Sequence, residues 1–119
     1  MIEPNYVYNG TIVRIIDGDT YEIAVDLGFD VTITKNIRLL DVDTPETWRP
    51  KTEAERAHGT QATEFVKSKF NTGDKVVLES VKFGKYRYCA AIYFVENEQQ
   101  YSIAQLLKEN NLEKRTDYE

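Results

Sequence analysis

Residues 6 to 42 are rich in β-branched and aromatic side chains, and two turn signals divide them. The signals are the stretches at 17–19 and 27–30, where Asp and Gly favour tight turns. In the last of the three segments, apolar and polar residues alternate as in a strand with one buried face. The pattern predicts a meander of three strands over about 6–16, 20–26 and 31–41.

The pattern changes to that of a helix between Pro50 and Gly73. Thr52 followed by Glu55 has the spacing of a capping box, and the stretch at 71–74 supplies a stop signal. Strand signals return over 75–81 and 86–95, and a short helix is predicted over 102–110. The long helix is expected to bury one apolar stripe, made of Ala54, Ala57, Ala62, Phe65, Val66 and Phe70.

The predicted element order is βββ-α-ββ-α, a mainly β chain with a long helix between strands 3 and 4 and a short C-terminal helix. Two architectures satisfy this order: a small five-stranded barrel with the long helix across one end, and a flat antiparallel sheet with both helices on one face. The length of 119 residues, 41% of them apolar, predicts a single domain over 1–119. Residues 113–119 are polar enough to form a loose tail.

Several classes of protein are disfavoured by composition. The single cysteine, Cys89, has no partner for a disulfide within the chain, and no Cys/His cluster is spaced to hold zinc. No apolar run approaches the ~20 residues of a membrane span, and no signal-peptide pattern is present. We expect a cytoplasmic monomer that makes no membrane contact, although a leader removed from a secreted protein would leave no trace in the sequence.

The net charge of −5 opposes broad attraction to a polyanion. A protein that coats nucleic acid non-specifically is therefore disfavoured. A few arginines together with a divalent cation can still make one cleft positive on an acidic molecule.

Acidic side chains concentrate in two short segments. Asp17 and Asp19 flank a glycine at the first turn, and Asp41 and Asp43 lie about 7 Å apart on one face of an extended strand. Glu46 follows a proline-directed bend close by. Such oxygen ligands suit calcium, with magnesium and manganese chemically possible. Taken singly, the first segment is more often a plain hairpin turn, and the second is as often a simple turn or helix lead-in as a functional site.

Three motifs occur in an order and at separations that closely resemble the staphylococcal nuclease (thermonuclease) family: IIDGDT at 15–20, RLLDVDTPE at 38–46 and KYR at 85–87. The similarity extends from about Tyr6 to Leu112. It implies a five-stranded OB-fold barrel with helices, and so favours the barrel over the flat sheet. It also implies calcium-dependent hydrolysis of phosphodiester bonds in DNA and RNA, leaving 3′-phosphate products.

The resemblance implies a set of calcium ligands. Asp19 and Asp43 match the ligating carboxylates, and Thr44 matches the residue that binds through its backbone carbonyl. Asp17 matches an outer-shell carboxylate.

The same matching assigns the chemistry. Arg38, Arg87 and Glu46 correspond to the two catalytic arginines and the catalytic glutamate. Lys85 and Tyr86 fall near the positions that hold a terminal phosphate. Guanidinium groups bind phosphoryl oxygens in a bidentate manner, and a carboxylate can orient or deprotonate an attacking water.

The sequence leaves a rival interpretation open. The family usually has Tyr-Gly-Arg before this strand, whereas here Tyr86 directly precedes Arg87. This departure leaves open a non-catalytic OB-fold module that binds nucleic acid or protein, and the acidic net charge favours the protein-binding form. For the nuclease, Tyr86, Tyr88 and Tyr118 are candidate stacking platforms for unpaired bases, which favours single-stranded substrate, with core packing as the alternative for Tyr88.

Overall fold

The computed structural model describes residues 2–81, 88–116 and 118. Lys85, Tyr86 and Arg87 lie outside the described residues. No helix in the described part of the chain is long and apolar enough to span a bilayer. In chain order the described elements are β1 Val7–Asp17, β2 Thr20–Asp26, β3 Thr32–Leu39, α1 Glu53–Lys69, β4 Lys75–Ser80, β5 Cys89–Glu96, β6 Gln99–Ser102 and α2 Ile103–Glu109.

The strands form one sheet in the order β3-β2-β1-β4-β5-β6, and an additional pairing joins β3 to β5. This last pairing is parallel and short: Arg38 lies opposite Cys89, and Leu39 lies opposite Ala90. The N–H of Arg38 donates to the carbonyl of Tyr88 at 3.0 Å, which extends the seam by one contact. The first five strands are thereby closed into a barrel, so the barrel prediction is confirmed and the flat sheet is excluded.

The strand β6 is an element that the sequence did not predict. It pairs antiparallel with β5, and the two connecting residues, Asn97 and Glu98, have φ values of 53° and 66°. All four of its residues are exposed or only half-buried. Because no apolar alternation marks a strand of this kind, the period-two signal was absent.

The strand β5 also begins later than expected among the described residues. Its first residue is Cys89, and Tyr88 lies in a turn with a φ of 56°. The side chain of Cys89 is buried, and burial raises the pKa of its thiol. Cys89 is a small packed residue of the barrel.

The helix α1 begins at the predicted cap, where the Thr52 hydroxyl accepts the N–H of Glu55 at 3.1 Å. The buried face of the helix differs from the predicted stripe in its first half. Glu55 and Gly59 occupy that face, while Ala57 is exposed. The second half follows the prediction, with buried Ala62, Val66 and Phe70.

Candidate active site

The β1–β2 turn is held by one local hydrogen bond and by a hydrogen bond from a core residue. The N–H of Asp19 donates to Oδ1 of Asp17 at 3.1 Å, the usual local contact of an Asx turn. The hydroxyl of Tyr21, a fully buried side chain, donates to the carbonyl of Gly18 at 2.7 Å. A Cβ at position 18 would lie 2.8 Å from Cγ2 of Thr44. Glycine is therefore required here because the neighbouring segment approaches so closely.

Asp19 joins this turn to the segment that follows β3. Its side chain is buried, and Oδ2 accepts the N–H of Thr44 at 3.0 Å, between residues 25 positions apart. Its carbonyl accepts the N–H of Leu39 at 2.8 Å. The two acidic segments of the sequence are thus brought together by direct contacts.

Arg38 lies between two of the predicted calcium ligands. One guanidinium nitrogen donates to Oδ1 of Asp43 at 2.6 Å and lies 3.9 Å from Oδ2 of Asp19. The side chain of Arg38 is 39% exposed and that of Asp43 is 68% exposed. Exposed ion pairs contribute about 1 kcal/mol or less. Arg38 can therefore exchange Asp43 for an anionic ligand at small cost.

The electrostatics of the turn favour a cation. The pKa of Asp17 is raised to about 7, chiefly by burial, together with the side-chain hydrogen bond and the negative charge of Asp19 and a smaller effect of the charge of Glu46. A divalent cation relieves such repulsion between carboxylates.

The donor chemistry therefore fits a hard dication in kind. In the described ranges, however, no three His, Cys, Asp or Glu side chains converge closely enough to form a metal site by themselves. The assignment of Asp19, Asp43, Thr44 and Asp17 as a metal site stays a prediction.

Residues 43–51 form a segment that we call the Glu46 loop. The N–H of Lys114 donates to the carbonyl of Asp43 at 2.7 Å, at one end of the loop. The N–H of Lys51 donates to Oε1 of Glu55 at 2.8 Å, at the other end. Glu46 is exposed in this loop, close to the acidic turn.

Residues 113–116 form one wall of a cleft next to Arg38. The cleft has a volume of about 620 Å³ and is also lined by Asp41, Asp43 and Cys89. Its wall carries two cations, Lys114 and Arg115. Sequence reasoning assigned this segment to a tail and gave it no part in the site, although its two adjacent basic residues were a usable signal. Whether residues 113–119 are loosely ordered stays a prediction.

His58 connects α1 to the described residues that follow α2, 111–116 and 118, which we call the C-terminal segment. Its Nδ1 lies 2.7 Å from the hydroxyl of Tyr118, and its Nε2 lies 2.7 Å from the carbonyl of Asn111. Both ring nitrogens of His58 are therefore occupied by contacts that pack the C-terminal segment against α1. The guanidinium of Arg115 stacks over the Tyr118 ring, 4.6 Å from its centroid.

Trp48 is the most exposed large side chain of the Glu46 loop. It is 79% exposed, and the guanidinium of Arg49 lies 4.4 Å from the centre of its ring. The third motif of the sequence cannot be compared in the same way, because Lys85, Tyr86 and Arg87 fall outside the described residues.

Comparison with known proteins agrees with this arrangement. Residues 36–112 match the family described as staphylococcal nuclease homologue. The match includes Arg38, Asp43 and Glu46, whereas Asp17 and Asp19 precede it.

Three relatives are similar over most of the chain. A thermonuclease of Staphylococcus hyicus is 37% identical over 84 residues, covering 71% of this chain and 46% of that protein. A thermonuclease of Staphylococcus intermedius is 39% identical over 82 residues, covering 69% of this chain and 45% of that protein. Endonuclease YhcR of Bacillus subtilis (strain 168) is 34% identical over 76 residues, covering 60% of this chain and 6% of that protein.

The chain thus spans slightly less than half the length of the two thermonucleases. The family model nevertheless covers well over half of the chain, and the barrel agrees with the fold that the resemblance implied. This chain belongs to the staphylococcal nuclease family.

Proposed function

We propose that this protein is a calcium-dependent nuclease that hydrolyses phosphodiester bonds of DNA or RNA and leaves 3′-phosphate products. The observation that carries the proposal is the contact of one guanidinium, that of Arg38, with carboxylates from two separate segments, Asp19 and Asp43. The names of the three relatives, two thermonucleases and an endonuclease, support the same class of reaction.

Arg38 acts on the phosphate in this proposal. Its planar group stays charged at all physiological pH values and binds two phosphoryl oxygens at once. As the reaction proceeds, negative charge grows on these oxygens, and a preorganised guanidinium stabilises it. Arg87 is assigned the second position of this kind on the basis of the family motif.

Glu46 acts on the attacking water. Its carboxylate is exposed at the edge of the acidic turn and can accept a hydrogen bond from a water aimed at phosphorus.

The divalent cation neutralises phosphate charge when it is bound. Asp19 and Asp43 would hold it through carboxylate oxygens and Thr44 through its backbone carbonyl, and Asp17 would support them as an outer acid. Lys85 and Tyr86 are assigned to a terminal phosphate of the substrate.

The substrate is proposed to be single-stranded and bound by a monomer. An acidic molecule with a net charge of −5 offers little attraction to the many phosphates of a rigid duplex. Trp48, which is exposed in the Glu46 loop, offers a surface on which an unpaired base can stack.

Incubation of the purified protein with labelled single-stranded DNA tests the proposal. The wild-type chain is compared with the Glu46→Gln variant, in calcium and in chelator. We expect cleavage only with calcium, and a rate in the variant lower by about a hundredfold or more, since a group that acts mainly in the transition state contributes several kcal/mol.

The matched control is Glu64→Gln, the same change on the exposed side of α1, and it should cleave like wild type. Absence of calcium-dependent cleavage in the wild-type chain overturns the proposal. Binding of the DNA without cleavage selects the rival, a non-catalytic OB-fold module that binds nucleic acid.

A thermal melt tests the metal ligands independently of activity. Calcium should raise the Tm of the wild-type chain, because a ligand that binds only the folded state stabilises it. The Asp43→Asn variant should lose this rise, and an unchanged rise would place the cation elsewhere.

A further inference from the structure

Glu55 is an ionised side chain buried in an unusual place. It lies in the first turn of α1 and is 1% exposed. The glutamate of a capping box ordinarily reaches back to the N–H of the capping residue itself, at the helix surface. Here Oε1 accepts instead from Lys51, one residue before the cap, at 2.8 Å. The Glu55 side chain therefore binds the end of the Glu46 loop to α1.

The second oxygen of Glu55 faces the C-terminal segment. Oε2 is fully buried and makes no hydrogen bond of good geometry with the residues that the structure describes, but it lies 3.4 Å from Nζ of Lys114. The backbone N–H of Lys114 donates to the carbonyl of Asp43 at 2.7 Å. One residue of the C-terminal segment thus contacts both the start of the Glu46 loop and the carboxylate that holds its end.

Burial of an unpaired carboxylate is costly, so the ionised form of Glu55 needs these partners. The pKa of Glu55 is lowered, chiefly by the hydrogen bond from the Lys51 N–H and also by Lys114 and the backbone of Glu46. The group is charged at neutral pH.

The middle of the Glu46 loop is held by close packing. A Cβ at Gly59 of α1 would lie 2.6 Å from the carbonyl oxygen of Pro45 and 2.7 Å from Cγ2 of Thr47. The loop therefore lies directly on the helix backbone. Because both ends of the loop are hydrogen-bonded and its middle packs against α1, the path of the loop from Asp43 to Lys51 is fixed.

We propose that Glu55 and Lys114 are positioning residues of the reaction: as an ion pair between the buried carboxylate of α1 and a half-exposed lysine of the C-terminal segment, they hold the Glu46 loop so that Glu46 faces the acidic turn. This inference rests on the proposed nuclease function. It gives the C-terminal segment a part in turnover although neither residue touches the substrate.

Steady-state kinetics on single-stranded DNA with calcium test the proposal. Glu55→Gln keeps an oxygen for the Lys51 N–H but removes the charge that faces Lys114. We expect kcat to fall about tenfold to a hundredfold, as displacement of a catalytic group by about 1 Å does, while KM stays within about twofold. Assays are run well below the Tm of each variant, so that loss of folding does not contribute.

The matched control is Glu53→Gln, the same change in the same helical turn on a side chain that is 89% exposed. It should keep the wild-type kcat. Lys114→Met should lower kcat as Glu55→Gln does, and Lys114→Arg, which keeps the ion pair, should restore it. Because the Lys114 side chain is 39% exposed, these two variants carry the test if Glu55→Gln does not fold. A folded Glu55→Gln or Lys114→Met variant with wild-type kcat overturns the proposal.

Hydrogen exchange of the free protein separates this inference from the proposed function. Without calcium or DNA, amides of the Glu46 loop should exchange about tenfold faster in Glu55→Gln than in Glu53→Gln, since the local opening free energy is reduced. Unchanged exchange overturns the inference alone. A wild-type chain that cleaves no DNA overturns the proposed function, and the kinetic role of the pair with it.

Discussion

Two turns of this barrel begin with the same local contact. In the β1–β2 turn, Oδ1 of Asp17 accepts the N–H two residues ahead, at 3.1 Å. In the β2–β3 loop, Oδ1 of Asp26 accepts the N–H of Gly28, also two residues ahead, at 2.8 Å. Both are Asx turns, and their sequences carry equivalent Asp and Gly signals.

Their surroundings are opposite. A Cβ at Gly18 would strike Thr44 and Ala62, whereas a Cβ at Gly28 would have nothing within 4 Å. The first turn is fastened to the core by the Tyr21 hydroxyl, while the second presents a fully exposed Phe29. The comparison teaches that local sequence makes a turn, and that only the segments packed around it make a candidate site.

The largest difference between the turns should appear when each loses one carboxylate charge. Asp19→Asn removes the charge that faces Arg38, and we expect cleavage to fall about a hundredfold to a thousandfold, the usual effect of removing one electrostatic partner of a transition state. Asp26→Asn should leave the rate unchanged, because among the described residues the hydrogen bond of its carboxylate is to Gly28 of its own loop. Equal rates of the two variants in the single-strand assay would break the comparison.

The two glycines should differ in stability and in activity. Gly18→Ala forces the Thr44 segment away, and we expect a loss of about 1–3 kcal/mol together with reduced cleavage. Gly28→Ala has space for its methyl group but a φ of +82°, so it should cost about 1 kcal/mol and leave cleavage unaffected. Urea unfolding and the cleavage assay measure both effects. A Gly18→Ala variant as stable as wild type would mean that the two turns are equally open.

The hydrogen bond that holds the first turn to the core can be removed by deleting one hydroxyl group. Tyr21→Phe leaves the buried carbonyl of Gly18 without its donor, and we expect a loss of about 1–2 kcal/mol. Tyr101→Phe is the control, because its hydroxyl bonds to Gln99 at the surface. Thermal unfolding should separate the two variants clearly, and equal midpoints would contradict the support assigned to Tyr21.

The smallest effect is expected at the tip of the second loop. Phe29→Ser replaces a fully exposed ring, and the stability should change by no more than about 0.5 kcal/mol. Cleavage should also be unchanged. A clear destabilisation would show that the loop is packed in solution, and would make the two turns more alike than their surroundings indicate.

The parts of the fold that alternate or cap by simple rules were predictable. Ile37 and Leu39 are buried as the period of two requires, and Thr52 caps α1 at the predicted residue. The strand β6 was not predictable by that rule, because its residues are polar or half-exposed. The first half of the α1 face escaped prediction because Glu55 and Gly59, which carry no apolar signal, are buried there.

Only those residues of the candidate site that belong to family motifs could be predicted from the sequence. Family motifs single out Arg38 and Asp43, and the structure brings them into contact. The contacts of Lys114 with Asp43 and Glu55 join segments far apart in sequence. No local pattern encodes such a meeting, because it depends on how the closed barrel orients the C-terminal segment.

The seam that closes the barrel carries an entropic cost that local hairpins do not. It pairs residues 38 and 39 with residues 89 and 90, which are far apart in the sequence, so its formation closes a long loop. Arg38 itself belongs to this seam. A chain in which β3 and β5 have separated keeps its hairpins but loses the cleft, which residues at this seam line. The affinity for a ligand of the cleft therefore reports closure of the barrel, and not merely the presence of secondary structure.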